Sequence, residues 1–282
     1  MRPEFRYFRP KDLREALEAL AEGGRPLAGG TDLVVDLKEG KAQPELVVDI
    51  SRLEELRFMD ASDGLIRLGP LLTHREIATS RLLREEALPL ALASAQVGSP
   101  QIRNVGTLGG NICNASPAAD TLPALMVLEA ELVLEGLRGR RTVPFPRFFL
   151  GPYRTVLEPG ELLVEVRFRG LRGWKGGFWK VGRRRAFVQS RINLALALRL
   201  EDGLIQEARI SVGSSTPVPV RMSGAEEVLK GKVPEEDVLK EAARQAREAV
   251  AQASGSRPSA AYKLPAVEGL LWRALQEVVH GL

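Results

Sequence analysis

The chain has 282 residues, of which 44% are hydrophobic, so it can bury a substantial core in one large domain or in two to three smaller ones. Forty Lys+Arg against 36 Asp+Glu give a net charge of +4, too small an excess to indicate a nucleic-acid-binding protein. The one basic cluster, "KVGRRRAFVQSR", does not change that expectation, and no nucleic-acid partner is predicted.

The N-terminal half is predicted to alternate short strands with helices. "KDLREALEALAEGG" carries its leucines and alanines on one face, with Asp12 as the cap and Gly23-Gly24 as the stop. Short strands are predicted at "RPLAGG", "PELVVDI" and "LIRLGPLLT". The pattern "HREIATSRLLREEALPLALASAQVG" predicts a long helix broken near Pro89, with His74 as a surface residue at its start. A polar loop from Ile102 to Asp120 then precedes a helix at "TLPALMVLEA".

The C-terminal half is predicted to be an antiparallel sheet followed by helices. Strands are expected at "ELVLEG" and "ELLVEVRF", and "RGLRGWKGG" is typical of a lobe boundary. "FWKVGR" and "INLALALRLEDGLIQEARISVGS" indicate antiparallel strands, the last two joined through Asp202-Gly203. Helices follow at "EEDVLKEAARQAREAVAQA" and "LPAVEGLLWRALQEVVHGL". The pattern therefore predicts an α+β fold arranged in lobes.

Cysteine and histidine are too scarce for most catalytic centres. Cys113 is the only cysteine, so this chain cannot hold an iron–sulfur cluster or a cysteine zinc site by itself, and Cys113 is expected to be a small buried filler. His74 and His280 are the only histidines, and no local signature of a catalytic triad accompanies them. Enzymatic chemistry is therefore expected to belong to a bound cofactor.

No membrane span or secretion signal is predicted. No apolar run is long enough to cross a bilayer, and "MRPEFRYFRPKD" lacks the apolar segment of a signal peptide. The expected location is cytoplasmic.

Two glycine pairs indicate an anion-binding site. In "PLAGGTDLVVDLK" an apolar strand runs into Gly29-Gly30 and Thr31, and "GTLGGN" repeats the pattern of a hydroxyl followed by paired glycines. Glycines expose backbone N–H groups to a ligand, although the first pair is equally consistent with a tight turn. Asp120 could accept hydrogen bonds from sugar hydroxyls, but its position favours a helix cap. Neither segment matches a Rossmann fingerprint or a P-loop, so the pattern indicates an anionic cofactor of another class.

"LAGGTDL" and "QIRNVGTLGGNICNASPAADTLPAL" resemble the FAD-binding subunit of the molybdenum hydroxylases, which include xanthine dehydrogenase and the medium subunit of aerobic carbon monoxide dehydrogenase. The resemblance continues through "EARISVGSSTPVPVRMSGAEEVLKGK" and spans nearly the whole chain. It implies two FAD-binding lobes of the vanillyl-alcohol oxidase-like (PCMH) type, residues 1–57 and 58–172, plus a C-terminal α+β domain of residues 178–282 with an antiparallel sheet and helices.

The resemblance also assigns cofactor contacts. The first glycine segment is implied to contact the FAD pyrophosphate through Leu27, Ala28, Gly29, Gly30, Thr31, Asp32, Leu33 and Val34. The second implies contacts at Thr107, Gly110, Asn111, Asn114 and Asp120. Leu163 or Val164 matches a position that packs near the flavin, and Lys180 matches a lysine close to the flavin ring. No residue is assigned as a protein acid or base.

The function implied is that of an electron-transfer flavoprotein. A molybdenum-cofactor large subunit oxidises the substrate, and a 2Fe–2S small subunit relays electrons to FAD in this chain, in a dimer of heterotrimers. The acceptor can be NAD, a quinone or oxygen. The alternatives are a stand-alone FAD oxidoreductase, which is active without partners, and a flavin-free assembly subunit, which stays colourless after reconstitution with FAD.

One segment departs from the family pattern. Relatives commonly carry an acidic residue shortly after an "RR-A" segment, whereas this chain has Val188 and Gln189 in "RRRAFVQSR". The electron acceptor of better-known relatives is therefore not carried over. The triple arginine Arg183 to Arg185 can face a partner subunit or form a solvated basic turn.

Overall fold

The computed structural model describes residues 4–182, 189–255 and 258–281. The chain folds into two compact units, each assembled from separate stretches of sequence. The first unit comprises Met1–Glu76, Pro100–Ala115 and Ala130–Arg169. The second comprises Ile77–Ser99, Ser116–Glu129 and Gly170–Leu282. The domain boundaries that the resemblance implies remain a prediction.

The described residues form fourteen strands, and the two longest, of ten residues each, lie in the second half of the chain. In chain order the strands are β1 Arg6–Phe8, β2 Arg25–Leu27, β3 Leu46–Asp49, β4 Met59–Ser62, β5 Leu65–Leu68, β6 Glu131–Gly136, β7 Gly139–Pro144, β8 Phe149–Gly151, β9 Arg154–Thr155, β10 Leu162–Arg169, β11 Lys175–Val181, β12 Ile192–Glu201, β13 Leu204–Gly213 and β14 Val220–Arg221.

The two longest helices lie near the C-terminus. In chain order the helices are α1 Leu13–Ala21, α2 Leu33–Lys38, α3 His74–Thr79, α4 Arg81–Glu86, α5 Leu88–Ala95, α6 Pro100–Val105, α7 Leu108–Asn114, α8 Thr121–Val127, α9 Ser223–Leu229, α10 Glu236–Ser254 and α11 Ala260–His280.

The first unit contains a parallel sheet in the order β1-β3-β2 and an antiparallel sheet in the order β4-β5-β10-β6-β7. Every residue of β3 is buried, as expected for the central strand of a parallel sheet. Asp12 caps α1 by accepting a 2.8 Å hydrogen bond from the Glu15 amide, as predicted. Buried side chains of α1, β3 and β10 form one apolar core in this unit.

The second unit is built on an antiparallel sheet in the order β11-β12-β13-β14. The hairpin between β12 and β13 turns at Asp202 and Gly203, whose φ angles are +52° and +76°, so the predicted turn is confirmed. Side chains of α9, α10 and α11 pack on alternate residues of β12, from Ile192 to Leu198. Helices α5 and α8 also contact this sheet.

Two predicted segments differ from the structure. The long helix expected after His74 is three helices, because Ser80 caps α4 through a 3.2 Å bond from the Leu83 amide and a second break falls at Ala87. Pro89 lies inside the first turn of α5, where its missing N–H is tolerated. The prediction of a polar loop from Ile102 to Asp120 is wrong, since most of this segment forms α6 and α7.

Candidate functional site

The first glycine pair connects β2 to α2 and touches the backbone of another segment. A Cβ atom on Gly29 would lie 1.9 Å from the carbonyl oxygen of Val105, so only glycine allows this approach. Gly30 has a φ of +71°, and a Cβ there would meet only the methyl groups of Val34 and Leu27, at 3.1 and 3.3 Å, among the described residues. The segment is more than a tight turn, because it brings two distant stretches of backbone together.

The second glycine pair lies in the first turn of α7 rather than in a loop. Thr107 is the N-cap, and its Oγ1 accepts a 3.1 Å hydrogen bond from the Gly110 amide. A Cβ atom on Gly109 would lie 2.5 Å from Cβ of Pro70. Gly110 is exposed, and among the described residues a Cβ there would come within 4 Å of Thr107 Oγ1 alone, at 2.9 Å.

The two pairs therefore share one division of roles. In each pair, close internal packing requires the first glycine. A Cβ atom on the second glycine would contact only side-chain atoms of the described residues. Thr31 and Thr107 add a hydroxyl beside each open position. Unobstructed backbone beside hydroxyl groups fits a ligand with phosphate oxygens, because such oxygens need several donors when they leave water. The Gly110 amide itself is already bonded to Thr107 Oγ1, so the Thr107 O–H is the donor that this segment offers.

The remaining predicted residues of the first unit have varied environments. Leu27, Ala28, Leu33, Asn111 and Asn114 are half-buried, whereas Asp32 and Val34 are exposed. Thr31 Oγ1 donates to Asp32 Oδ2 at 3.4 Å, and partial desolvation by the surrounding chain raises the pKa of the Asp32 carboxyl although the residue is exposed. Leu163 on β10 is 2% exposed, and its proposed packing against a flavin remains a prediction.

His74 is buried, contrary to the surface position predicted for it. Its side chain is 2% exposed, and its amide donates to the Gly106 carbonyl at 3.0 Å. A Cβ atom on Gly106 would lie 3.3 Å from His74 Cδ2 and 3.6 Å from Thr31 Oγ1. Burial, aided by the Arg103 charge, lowers the pKa of His74 to about 4, so the ring is neutral at pH 7. Its Nδ1 atom has no hydrogen-bond partner among the described residues.

A buried ion pair lies in the second unit. The Lys180 ammonium donates to Asp120 Oδ2 at 2.5 Å and to the Gln96 carbonyl at 3.0 Å. Ser190 Oγ donates to Asp120 Oδ1 at 2.5 Å, and Asn193 Nδ2 donates to the same oxygen at 3.2 Å. The side chains of Lys180 and Asp120 are 8% and 6% exposed.

Asp120 stands at the N-cap position of α8, but the predicted cap is wrong. Among the described residues its side chain makes no capping hydrogen bond, since both oxygens accept from Lys180, Ser190 and Asn193 instead. Burial raises the pKa of the Asp120 carboxyl, and the neighbouring Lys180 charge opposes that rise.

Ser190 and Asn193 were missed by the sequence reasoning. Lys180 on β11 lies directly opposite Asn193 on β12, so strand register places both side chains on one face. Asn193 is the only uncharged polar residue in the apolar run "INLALALRL", and Gly213 lies opposite it on β13. A Cβ atom on Gly213 would lie 2.4 Å from Asn193 Oδ1. The sequence signal that could have indicated this network is a single amide side chain, Asn193, within an apolar strand.

Other candidates from the sequence contribute little. Burial raises the pKa of the Cys113 thiol to about 12, so the thiol is protonated and unreactive at pH 7. Arg183, Arg184, Arg185 and Val188 lie outside the described residues. In the described ranges, no group of three His, Cys, Asp or Glu residues is placed to hold a metal ion. Likewise, no helix of the described residues has both the length and the apolar composition of a bilayer span.

Comparison with known proteins decides the family. Residues 3–168 match the family model described as the FAD binding domain in molybdopterin dehydrogenase. Residues 177–278 match the CO dehydrogenase flavoprotein C-terminal domain. The chain belongs to this family. It is an FAD-binding oxidoreductase subunit of the molybdenum hydroxylase type, and FAD is its cofactor.

Several relatives align along almost the entire chain. The glyceraldehyde dehydrogenase medium chain of Sulfolobus acidocaldarius is 33% identical over 98% of this chain and 99% of its own length. The nicotinate dehydrogenase FAD-subunit of Eubacterium barkeri is 32% identical over 99% and 97%. A solved structure of carbon monoxide dehydrogenase from Hydrogenophaga pseudoflava matches with a TM-score of 0.92 and 31% identity, over 99% of this chain and 98% of that chain. The predicted α+β flavoprotein fold is therefore confirmed.

Proposed function

We propose that this medium subunit passes electrons from a partner 2Fe–2S small subunit, through its FAD, to an external acceptor. In this proposal a molybdenum-cofactor large subunit oxidises the substrate, and the three chains form a dimer of heterotrimers in the cytoplasm. The acceptor is NAD, a quinone or oxygen. Support comes from relatives named as medium chains of glyceraldehyde dehydrogenase and carbon monoxide dehydrogenase.

The observation that carries the proposal is the repeated pairing of an open glycine with a hydroxyl. Gly30 stands beside Thr31, and Gly110 stands beside the capping Thr107. The sequence has a single cysteine, and an iron–sulfur cluster needs several thiolates, so electrons reach the flavin from another chain.

Different residues are proposed to hold different parts of FAD. The backbone at Gly30 and Gly110, with the side chains of Thr31, Thr107 and Asn111, binds the diphosphate. Further contacts come from Leu27, Ala28, Gly29, Asp32, Leu33, Val34 and Asn114. Lys180 and Asp120 act near the flavin, and Leu163 packs against it. When bound, FAD supplies the redox chemistry, because it accepts single electrons and releases two together.

The test is to purify the chain alone and together with co-expressed molybdenum and iron–sulfur subunits. We expect stoichiometric FAD in the visible spectrum of the complex, and flavin reduction by substrate only when both partners are present. The complex is then offered NAD, a quinone or oxygen to identify the acceptor. A chain that reduces its flavin with substrate in the absence of partners contradicts the proposal, as does a complex that stays colourless after FAD is added.

A further inference from the structure

Two uncharged donors bond one carboxylate oxygen of Asp120, and neither the family match nor the motifs assign them. Ser190 and Asn193 both donate to Oδ1, while Lys180 donates to Oδ2. Asn193 also donates to the Ala119 carbonyl at 3.1 Å, which ties the amide to the backbone just before α8. The carboxylate therefore cannot rotate without breaking several buried hydrogen bonds.

The position of the Lys180 ammonium is fixed in turn by the carboxylate. Its two described acceptors are Asp120 Oδ2 and the Gln96 carbonyl at the C-terminal end of α5. Lysine carries three rotatable donors on a flexible stem, so a defined location requires such acceptors. A buried ion pair contributes little net stability compared with apolar side chains of similar volume. The network is better suited to fixing a charge than to stabilising the fold.

We propose that Ser190 and Asn193 are positioning residues that tune the reduction potential of the flavin through Asp120 and Lys180. This inference rests on the proposed function, which puts Lys180 near the flavin ring. Reduction adds negative charge to the flavin, and a fixed ammonium nearby favours the reduced form. Each donor to Asp120 withdraws charge from the carboxylate, so that Asp120 offsets less of the Lys180 charge.

The experiment measures the midpoint potential of bound FAD by spectroelectrochemistry, together with the dissociation constant for FAD. Ser190→Ala should shift the equilibrium toward oxidised flavin by about threefold, because a donor to a charged group is lost. Ser190→Thr keeps the hydroxyl and should restore the wild-type potential. Asn193→Leu should shift the equilibrium in the same direction as Ser190→Ala.

Ser211→Ala is the matched control. Like Ser190, Ser211 is a buried serine of the second unit, but its hydroxyl donates to the Val220 carbonyl at 3.0 Å. The Ser211→Ala substitution removes one buried hydrogen bond and should lower the melting temperature without changing the flavin potential. A structural role for Ser190 predicts that both serine variants behave alike.

Replacing both charges tests whether Ser190 changes the flavin potential through Asp120 and Lys180. Asp120→Asn with Lys180→Met removes both charges, so neither is left buried without its partner. This background should itself favour oxidised flavin by about tenfold or more. Ser190→Ala should add nothing to it. A threefold shift that persists in this background overturns the inference.

Failure of the inference is separable from failure of the proposed function. A yellow protein whose potential is the same in the wild type, Ser190→Ala and the double-charge replacement overturns the inference alone. A wild-type chain that takes up no FAD, alone or with its partners, overturns both.

Discussion

The two units present their proposed cofactor contacts in opposite chemical settings. In the first unit the contacts are mostly uncharged, with open backbone at Gly30 and Gly110 and hydroxyls at Thr31 and Thr107. In the second unit they are charges, and Asp120 and Lys180 are hydrogen-bonded to each other. In the first setting the Gly110 amide is already used by the Thr107 cap, so the groups offered to a ligand are the Gly30 backbone and the Thr107 O–H. In the second setting the two charges neutralise each other.

This difference assigns FAD binding to the first unit and adjustment of the flavin reduction potential to the second. Neutral donors can remain hydrated before FAD binds and then replace water around the diphosphate, so no charge is buried without a partner in either state. A lysine and an aspartate inside the second unit need each other in both states, since an isolated buried charge is strongly destabilising. We therefore expect substitutions in the first unit to change FAD retention and substitutions in the second to change its potential.

The largest expected effect separates the two members of the first glycine pair. Gly29→Ala would place Cβ 1.9 Å from the Val105 carbonyl oxygen, which requires backbone movement and should lower the free energy of unfolding by more than about 3 kcal/mol. Gly30→Ala meets only side-chain methyl groups and the strain of its positive φ, about 1 kcal/mol. Thermal unfolding of the FAD-free protein checks this. Equal losses in both variants would show that the pair does not divide its roles.

FAD retention should respond most strongly at Gly110. Gly110→Leu fills the open position over α7 and should weaken FAD binding by at least about 100-fold, by excluding the ligand from the backbone. Gly269→Leu on α11 is the control, because a Cβ there meets nothing within 4 Å among the described residues and φ is not positive. Both dissociation constants are measured by flavin fluorescence. A fully yellow Gly110→Leu protein would place the cofactor elsewhere.

The sequence predicted the first setting well because its signals are local. Gly29-Gly30 and Gly109-Gly110 stand in two short motifs, and each motif carries its own hydroxyl residue. Asp12 and Asp202-Gly203 were likewise predicted from neighbours in sequence and confirmed. What the motifs did not reveal is which glycine packs and which stays open, since that depends on Val105 and Pro70 in space.

The second setting could not be predicted because its members are distant in sequence. Asp120 is 60 residues from Lys180 and 73 from Asn193, and the strand register of β11 and β12 brings them together. Local reasoning gave Asp120 the role of a cap, which is the common use of an aspartate before a helix. His74 was misjudged for the same reason, because its burial depends on packing around Gly106.

Acid should weaken the first unit through His74. Its pKa is about 4 in the folded chain, and the unfolded value is about 6.5, so the unfolded chain binds more protons between these values. The stability present above pH 6.5 is therefore lost as the pH falls toward 4, by about 3 kcal/mol. His74→Gln should remove this part of the pH dependence, whereas His280→Gln at the exposed histidine should not. Denaturant unfolding at several pH values measures it. Identical slopes for the wild type and His74→Gln would rule out a neutral buried ring.

The smallest expected effect tests whether one hydroxyl serves both the fold and the cofactor. Thr107 Oγ1 already accepts from the Gly110 amide, so its own O–H remains the group available for donation to a phosphate oxygen. Thr107→Val should lower the stability of the FAD-free protein by about 1 kcal/mol through loss of the cap, and should weaken FAD binding by about fivefold.

Thr107→Ser should restore both quantities, because it returns the hydroxyl without the methyl group. Recovery of stability without recovery of FAD affinity would mean that the hydroxyl acts only as a cap. The first unit would then hold the diphosphate through its backbone alone, and its contrast with the charged network around Asp120 would be sharper still.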